Sequence, residues 1–446
     1  MKAITLLTFL TFLTAGSAGV LQAHKKGGKS ITISGRVNCP LVPAMGGTVY
    51  LQVSLHTPSL HVPRQKPKNV AVVLDRSGSM ADEGKILYAK SALLAIVDQL
   101  SPDDLLSIVT YDDIVEVLRP AGRVRNKREI HRLIEGIFPR GSTNLGGGMM
   151  EGFNQARRYA SKQYVNRVVL LSDGLANQGI TNPHHLQKIA RNHRSESSIS
   201  LTTMGVGLDY NENLMVGLAE SGGGSYYFIE SPHSIAHLLR REFDAMTTIL
   251  AQNAILEITL GNHVKLTDVI GYRWTREGDR YRVVLGDLYS NQTQELTFEL
   301  HIPEGAGTLE LARGSLTYTA NETGLGNRPE FASVVKYSRD AEAVERGRDI
   351  KVQAKADVAV STRTVERAME ALDKGNAEEA LQELDDAARQ LGASRAAGTA
   401  HGGSVISEQE NRLDMFRQTL KESAGDHRRA KKAIQYDNYR TQKNNQ

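Results

Sequence analysis

The chain has 446 residues, 40% of them hydrophobic and 23% charged, enough for two or three domains with buried cores. A formal net charge of +4 is small for this length and gives no case for nucleic acid as a partner. The single cysteine, Cys39, rules out an intramolecular disulfide and a structural zinc site built from several thiolates.

Residues 1–23 read as a secretory signal peptide. Lys2 supplies the positive start, 3–13 the apolar region, and Ala15, Gly16, Ser17, Ala18 and Gly19 the small residues before cleavage after Ala18 or Ala23. The apolar run is too short to span a bilayer, and no later stretch reaches the length required. A leader on a chain without disulfides points to a bacterial protein of the periplasm or the cell exterior. Residues 24–66 begin with a flexible lead and continue with two strands, 30–37 and 48–56, which form a hairpin across the turn-rich 40–47. A basic, proline-bearing linker, 61–68, leads onward.

Over 67–247, strands alternate with helices. Val70 to Leu74 is an unbroken apolar run, the pattern of a strand buried on both faces of a parallel sheet. A helix over 85–100 follows, stopped at Ser101-Pro102-Asp103-Asp104. Next come strands over 105–111 and 115–118, the second a short antiparallel edge, and a helix over 128–137. The glycine-rich loop 141–148 precedes a helix over 149–160. Later segments are a strand ending at Asp173, helices over 183–193, 213–219 and 235–246, and strands over 199–205 and 226–229. This alternation predicts an α/β fold with a doubly wound, mostly parallel sheet.

The end of the first buried strand carries Asp75, Ser77 and Ser79 at alternate positions. Ligands of open α/β sheets sit outside the carboxyl ends of the strands. Three oxygen ligands in one turn suit a hard dication, but serines there can equally cap the next helix. Two later segments favour the metal: Thr143 in the glycine-rich loop, and Asp173 at the end of a second buried strand.

Together these segments resemble the metal-ion-dependent adhesion site of von Willebrand factor type A (vWA) domains, over about 67–247. Asp75, Ser77, Ser79, Thr143 and Asp173 match the family's five metal-site positions without departure. The resemblance implies a Mg²⁺ site, with Mn²⁺ or Ca²⁺ as substitutes, and an open coordination position that takes an Asp or Glu carboxylate from a partner protein. Two carboxylates roughly neutralise the ion, while the hydroxyls add coordination without charge. The implied activity is metal-dependent adhesion, with no catalysis. The alternative is a scaffold subunit of a bacterial envelope complex whose metal only orders the loops.

After residue 250 the texture changes to short β-rich runs over 254–260, 264–270, 281–285, 294–302 and 307–318. Together with the strands of 24–66, those of 250–325 suggest one antiparallel β-sandwich into which the α/β domain is inserted. Such a split sandwich also resembles inter-alpha-trypsin inhibitor heavy chains and bacterial vWA proteins. Residues 340–446 read as a helical hairpin over 365–373 and 377–391, a further helix over 408–432, and a basic tail. The tail holds Arg428, Arg429, Lys431, Lys432, Arg440 and Lys443 against one acid, Asp437. It is expected to be a solvated end or to touch an anionic surface. The sequence does not specify an oligomeric state.

Enzymatic patterns fail. Ser77 lacks the flanks of a nucleophile elbow. His233 and His237 share a helical face but lack the glutamate of a zinc protease, and His184-His185 has no third ligand. No phosphate loop ends in Gly-Lys-Ser/Thr. Asp82, Glu83, Asp112 and Asp113 are expected to form a solvated acidic rim.

Overall fold

The computed structural model describes residues 30–59, 66–173, 176–230, 238, 242–320, 328–397, 403–423 and 426–443. The signal reading of 1–23, half of the 235–246 helix, and His233 and His237 lie outside the described residues.

Three strands come first: β1 (Thr32–Val37), β2 (Leu41–Pro43) and β3 (Gly47–His56). The expected hairpin forms, with β1 antiparallel to β3. The short β2 departs to a different sheet. The next twelve elements build the α/β domain: β4 (Lys68–Asp75), α1 (Lys85–Gln99), β5 (Leu105–Tyr111), β6 (Val115–Arg123), α2 (Lys127–Glu135), α3 (Leu145–Arg157), β7 (Val165–Ser172), α4 (Pro183–Ser197), β8 (Ser200–Val206), α5 (Glu212–Gly222), β9 (Gly223–Ile229) and a helical segment over 242–247. The sheet order is β6-β5-β4-β7-β8-β9, with only β6 antiparallel. Every residue from Asn69 to Asp75 is buried, as a central strand covered by helices on both faces requires.

Chain order places β5 on one side of β4 and β7 on the other. The carboxyl end of β4 is therefore the topological switch point, where the connecting segments part and leave a crevice. The edge strand β6 runs to Arg123, longer than the 115–118 read from sequence.

Glycines 146–148 form the first turn of α3, not a loop. The cause is packing: a Cβ at Gly148 would sit 2.5 Å from the Tyr111 ring, and one at Gly152 would overlap Val73. Glycine here lets a helix approach the sheet closely.

The strands that follow are β10 (Ile249–Leu260), β11 (Lys265–Ile270), β12 (Trp274–Glu277), β13 (Arg280–Tyr289), β14 (Thr293–Ile302), β15 (Thr308–Ala320) and β16 (Glu330–Ser338). They complete two sheets, ordered β1-β3-β14-β11 and β12-β13-β10-β15-β16-β2. The chain leaves the first sheet after β3 and re-enters in the second at β10, so the α/β domain is spliced between strands of one sandwich. Leu51, Val53, Leu256, Val283, Phe298 and Leu316 are among the residues of its shared core. The five strands read from sequence after residue 250 become seven. β12 is short and mostly exposed, and β16 lies beyond residue 325, the expected end of the sandwich.

The junction of the two modules holds a buried cation. Arg167 of β7 is fully buried; its Nη1 donates to Glu242 Oε1 at 2.8 Å and to Thr202 Oγ1 at 2.9 Å, and its Nη2 donates to Asp287 Oδ2 of β13 at 2.9 Å.

The helices of the last part are α6 (Ala341–Arg346), α7 (Ile350–Asp373), α8 (Ala377–Ala397), α9 (Gly403–Glu422) and α10 (Arg428–Gln442). The single helix expected over 408–432 is two helices, α9 and α10. The basic tail is not a free end, although Arg428 and Arg429 keep most of their side chains exposed. As α10 it packs against the α/β domain, and its cations meet acids of the same chain. Lys432 Nζ donates to Glu212 Oε2 at 2.7 Å and lies 4.0 Å from the centre of the Tyr210 ring. Lys431 pairs with Glu212 and Asp373, and Arg429 with Glu230. Arg428 Nη1 lies 2.9 Å from Asp209 Oδ1, and Lys443 Nζ 2.9 Å from Glu220 Oε1. Tyr436 and Tyr439 set their edges against Tyr226 at 5.8 and 5.7 Å between ring centres.

Candidate functional site

Asp75 ends β4 and is fully buried. Its Oδ1 accepts the Ser77 amide at 2.9 Å; its Oδ2 accepts the hydroxyls of Ser172 at 2.8 Å and Tyr111 at 3.2 Å. Burial, the largest influence, pushes its carboxyl up to about 6, against the pull of the Ser77 hydrogen bonds. The same burial, with Asp75 beside it, holds the Tyr111 phenol well above its ordinary range.

The two serines do not cap a helix. The turn Gly78–Gly84 begins at Ser77 with no side-chain cap, and α1 begins after Gly84 with none either. Instead the hydroxyls form a row: Ser77 Oγ lies 3.1 Å from Ser79 Oγ, and Ser79 Oγ donates to Asp173 Oδ1 at 2.9 Å. Asp173 follows β7 and is fully buried. Its Oδ2 accepts no hydrogen bond and has the Lys85 ammonium at 3.1 Å in an ion pair. Burial raises the Asp173 carboxyl, with Lys85 opposing.

Thr143 is buried between the other two segments. Its loop is tied to the Asp75 turn by Gly78 N–H to Gly141 O at 2.9 Å and by Arg140 N–H to Arg76 O at 2.7 Å. On the other side, the Thr143 amide donates to Asn177 Oδ1 at 2.9 Å, and its carbonyl accepts the amides of Asn177 and Gln178 at 3.2 Å. Its hydroxyl enters no hydrogen bond among the described residues. The three loops thus meet at the switch point.

Asp112 departs from the expected solvated rim: it is 1% exposed. Its Oδ2 accepts Arg76 Nε at 2.7 Å and Arg140 Nε at 2.9 Å, so it knots two of the site loops together. Burial acts to raise its carboxyl, but Arg140, the Ile114 amide and Arg76 together lower it. Asp82, Glu83 and Asp113 are exposed, as are the large apolar side chains of Ile114 and Phe138 nearby in the chain. Sequence reasoning missed Lys85, Tyr111, Ser172, Asn177 and the Arg76–Asp112–Arg140 cluster. Only Lys85 left a signal: a cation in the first helical turn, where the helix dipole favours an acid.

As a cation site the arrangement fits a hard, oxygen-preferring ion. Two carboxylates and three hydroxyls are gathered, one hydroxyl is unused, and one Asp173 oxygen lacks a hydrogen bond. No group of three or more His, Cys, Asp or Glu suited to a metal occurs among the described residues. Any ion here depends on the hydroxyls. His184 and His185 stand exposed at the start of α4, apart from this cluster.

Residues 69–241 match the family model of the von Willebrand factor type A domain. This region is a vWA domain. The vWA family generally mediates protein–protein interaction. Across nearly the whole chain, the fold matches a vWA protein from Catenulispora acidiphila at a TM-score of 0.67 and 15% identity, covering 89% of this chain and 91% of that one. The ArnB paralog VWA2 from Sulfolobus acidocaldarius matches at 0.60 and 19%, covering 93% and 99%. In sequence, the uncharacterized protein YfbK of Escherichia coli is 30% identical over 52% of this chain and 41% of its own length. Human inter-alpha-trypsin inhibitor heavy chain H4 is 30% identical over 45% of this chain and 23% of its own. The matched stretch is thus less than half of either relative. No helix among the described residues is long and apolar enough to cross a membrane.

Proposed function

We propose that this protein is a metal-dependent binding protein of the bacterial periplasm or cell exterior. Its vWA domain holds Mg²⁺ through Asp75, Ser77, Ser79, Thr143 and Asp173, and the ion takes a carboxylate from an Asp or Glu of a partner protein. When bound, the ion supplies a point of positive charge at the rim. The residues of the chain orient it and shield it from below.

The observation that carries this reading is the hydroxyl row. Ser77 and Ser79 cap no helix, yet they are aligned toward Asp173 at hydrogen-bond distance. Serines spent on neither a cap nor a core contact need another reason to be there. The role is binding and not turnover. Asp75 is walled in, with hydrogen bonds on both oxygens, and Asp173 is shared between a hydroxyl and an ammonium. Neither is open as a proton acceptor beside the ion.

The test is an isothermal titration with Mg²⁺ of the intact protein and of Asp75→Ala, beside a pull-down from an envelope fraction with and without EDTA. The variant is expected to fold, to show no Mg²⁺ heat and to lose the partner that EDTA also releases. Equal capture by the variant, or in EDTA, would overturn the proposal.

A further inference from the structure

We infer that Lys85 is a specificity-determining residue of the candidate metal site: its buried ammonium offsets the charge of Asp173, so that a bound dication keeps enough positive charge to attract a partner's carboxylate. This inference rests on the metal reading above.

Lys85 opens α1 and is 1% exposed. An ammonium is costly to bury and unfavourable at a helix N-terminus, so its charge must be answered locally. Two carboxylates answer it: Asp173 Oδ2 at 3.1 Å and Asp209 Oδ2 at 2.7 Å. The stem has a slot prepared for it. Gly207 adopts a left-handed φ of +73°, and a Cβ there would come 2.9 Å from Lys85 Cε.

The two carboxylates are not equivalent partners. Asp209 is 45% exposed and also takes Arg428 of α10, 2.9 Å from its Oδ1. Its charge is therefore shared and screened by solvent. The ammonium gives its hydrogen bond to Asp209 Oδ2 and stands in an ion pair with Asp173 Oδ2, but Asp173 is fully buried, so that pairing is the less screened of the two. Much of the Lys85 charge is thereby directed at Asp173.

The consequence follows from counting charge. Asp75 and Asp173 alone would neutralise a dication and leave little pull on an incoming acid. With the ammonium beside Asp173, and Asp209 offsetting only part of it from the solvent-screened side, the cluster keeps a fraction of a positive charge. Binding of the ion is weakened, and binding of an anion at the ion is strengthened. A merely structural lysine would not move the two in opposite directions.

The experiment is Mg²⁺ titration of the wild type, Lys85→Met and Asp209→Asn. The Mg²⁺-saturated proteins are then titrated with acetyl-Gly-Asp-Gly-amide, followed by NMR. Lys85→Met should bind Mg²⁺ at least about tenfold tighter and the peptide about tenfold more weakly, the scale of one charge a few ångströms away at a protein rim. Asp209→Asn, which turns the ammonium wholly toward Asp173, should bind Mg²⁺ more weakly and keep the peptide. Weaker or unchanged Mg²⁺ binding in Lys85→Met, or loss of both ligands together, would overturn the inference while leaving the metal reading intact. If Lys85→Met does not fold, unchanged or tighter Mg²⁺ binding by Asp209→Asn overturns it. A wild type that binds no Mg²⁺ overturns both.

Discussion

The amide of Gly78 donates to the carbonyl of Gly141 at 2.9 Å, joining the turn that bears Ser77 and Ser79 to the loop that bears Thr143. Gly141 reaches this position with a left-handed φ of +69°, and a Cβ on it would overlap Asp113 Oδ1. Any side chain there is doubly opposed, by backbone conformation and by space. Gly141→Ala is expected to leave the fold intact by circular dichroism and to weaken Mg²⁺ binding about tenfold in calorimetry, the lower end of what a disturbed outer shell costs a metal site. An unchanged affinity would show that the register of this loop does not set the site.

Asp75 makes the ion-free and ion-bound proteins respond oppositely to acid. Burial raises its carboxyl from 3.8 to about 6 in the folded protein. The folded state therefore takes up a proton before the unfolded chain does. Above pH 6 the buried charge costs the fold about 3 kcal/mol, a cost relieved as pH falls from 6 toward 4. A bound ion needs the ionised form, so its stabilisation disappears over that same fall. Thermal melts in EDTA should show this contribution improving on acidification through the window. The gain in melting temperature from added Mg²⁺ should shrink toward zero there. A Mg²⁺ gain that is constant from pH 4.5 to 7.5 would contradict this account.

The cations of α10 divide into a buried and an exposed class, and substitution should separate them. Lys432 is buried between Glu212 and the Tyr210 ring, and burial lowers its ammonium against the pull of Glu212. Lys432→Ala is expected to cost about 3 kcal/mol in urea unfolding, because a buried carboxylate loses a partner. Arg429 has 73% of its side chain exposed and pairs with Glu230 at the surface. Arg429→Ala should leave the urea midpoint unchanged within error. Equal effects from the two variants would show that α10 is loosely held.

The α/β domain was legible because its evidence is local and periodic. Val70 to Leu74 reads as a buried strand on composition alone, and Asp75, Ser77 and Ser79 announce themselves by spacing. Glycines 146–148 were misread because a glycine run signals a loop. The reason at Gly148 is the ring of Tyr111, which lies in a strand far away in sequence, and at Gly146 it is Ile180 and Leu186. The break between α9 and α10 had a signal in Gly425 and Asp426, a helix stop followed by a start, which the apolar spacing on either side masked. The burial of Asp112 and Lys432, and the docking of the basic tail, left no trace. Arg140, Glu212 and Glu220 are distant partners, and a charged residue reads as solvated until its counter-charge is located.

Arg167 has a mechanical consequence. Its guanidinium grips Glu242 at the exit of the vWA domain and Asp287 in the sandwich, with no water-facing edge at which either grip can slip. A tug on the rim of the sheet therefore reaches the sandwich through a solid strut, and not across a swivel. Under the proposed function, load from a partner held at the rim would be taken up by the loops there and not at this junction.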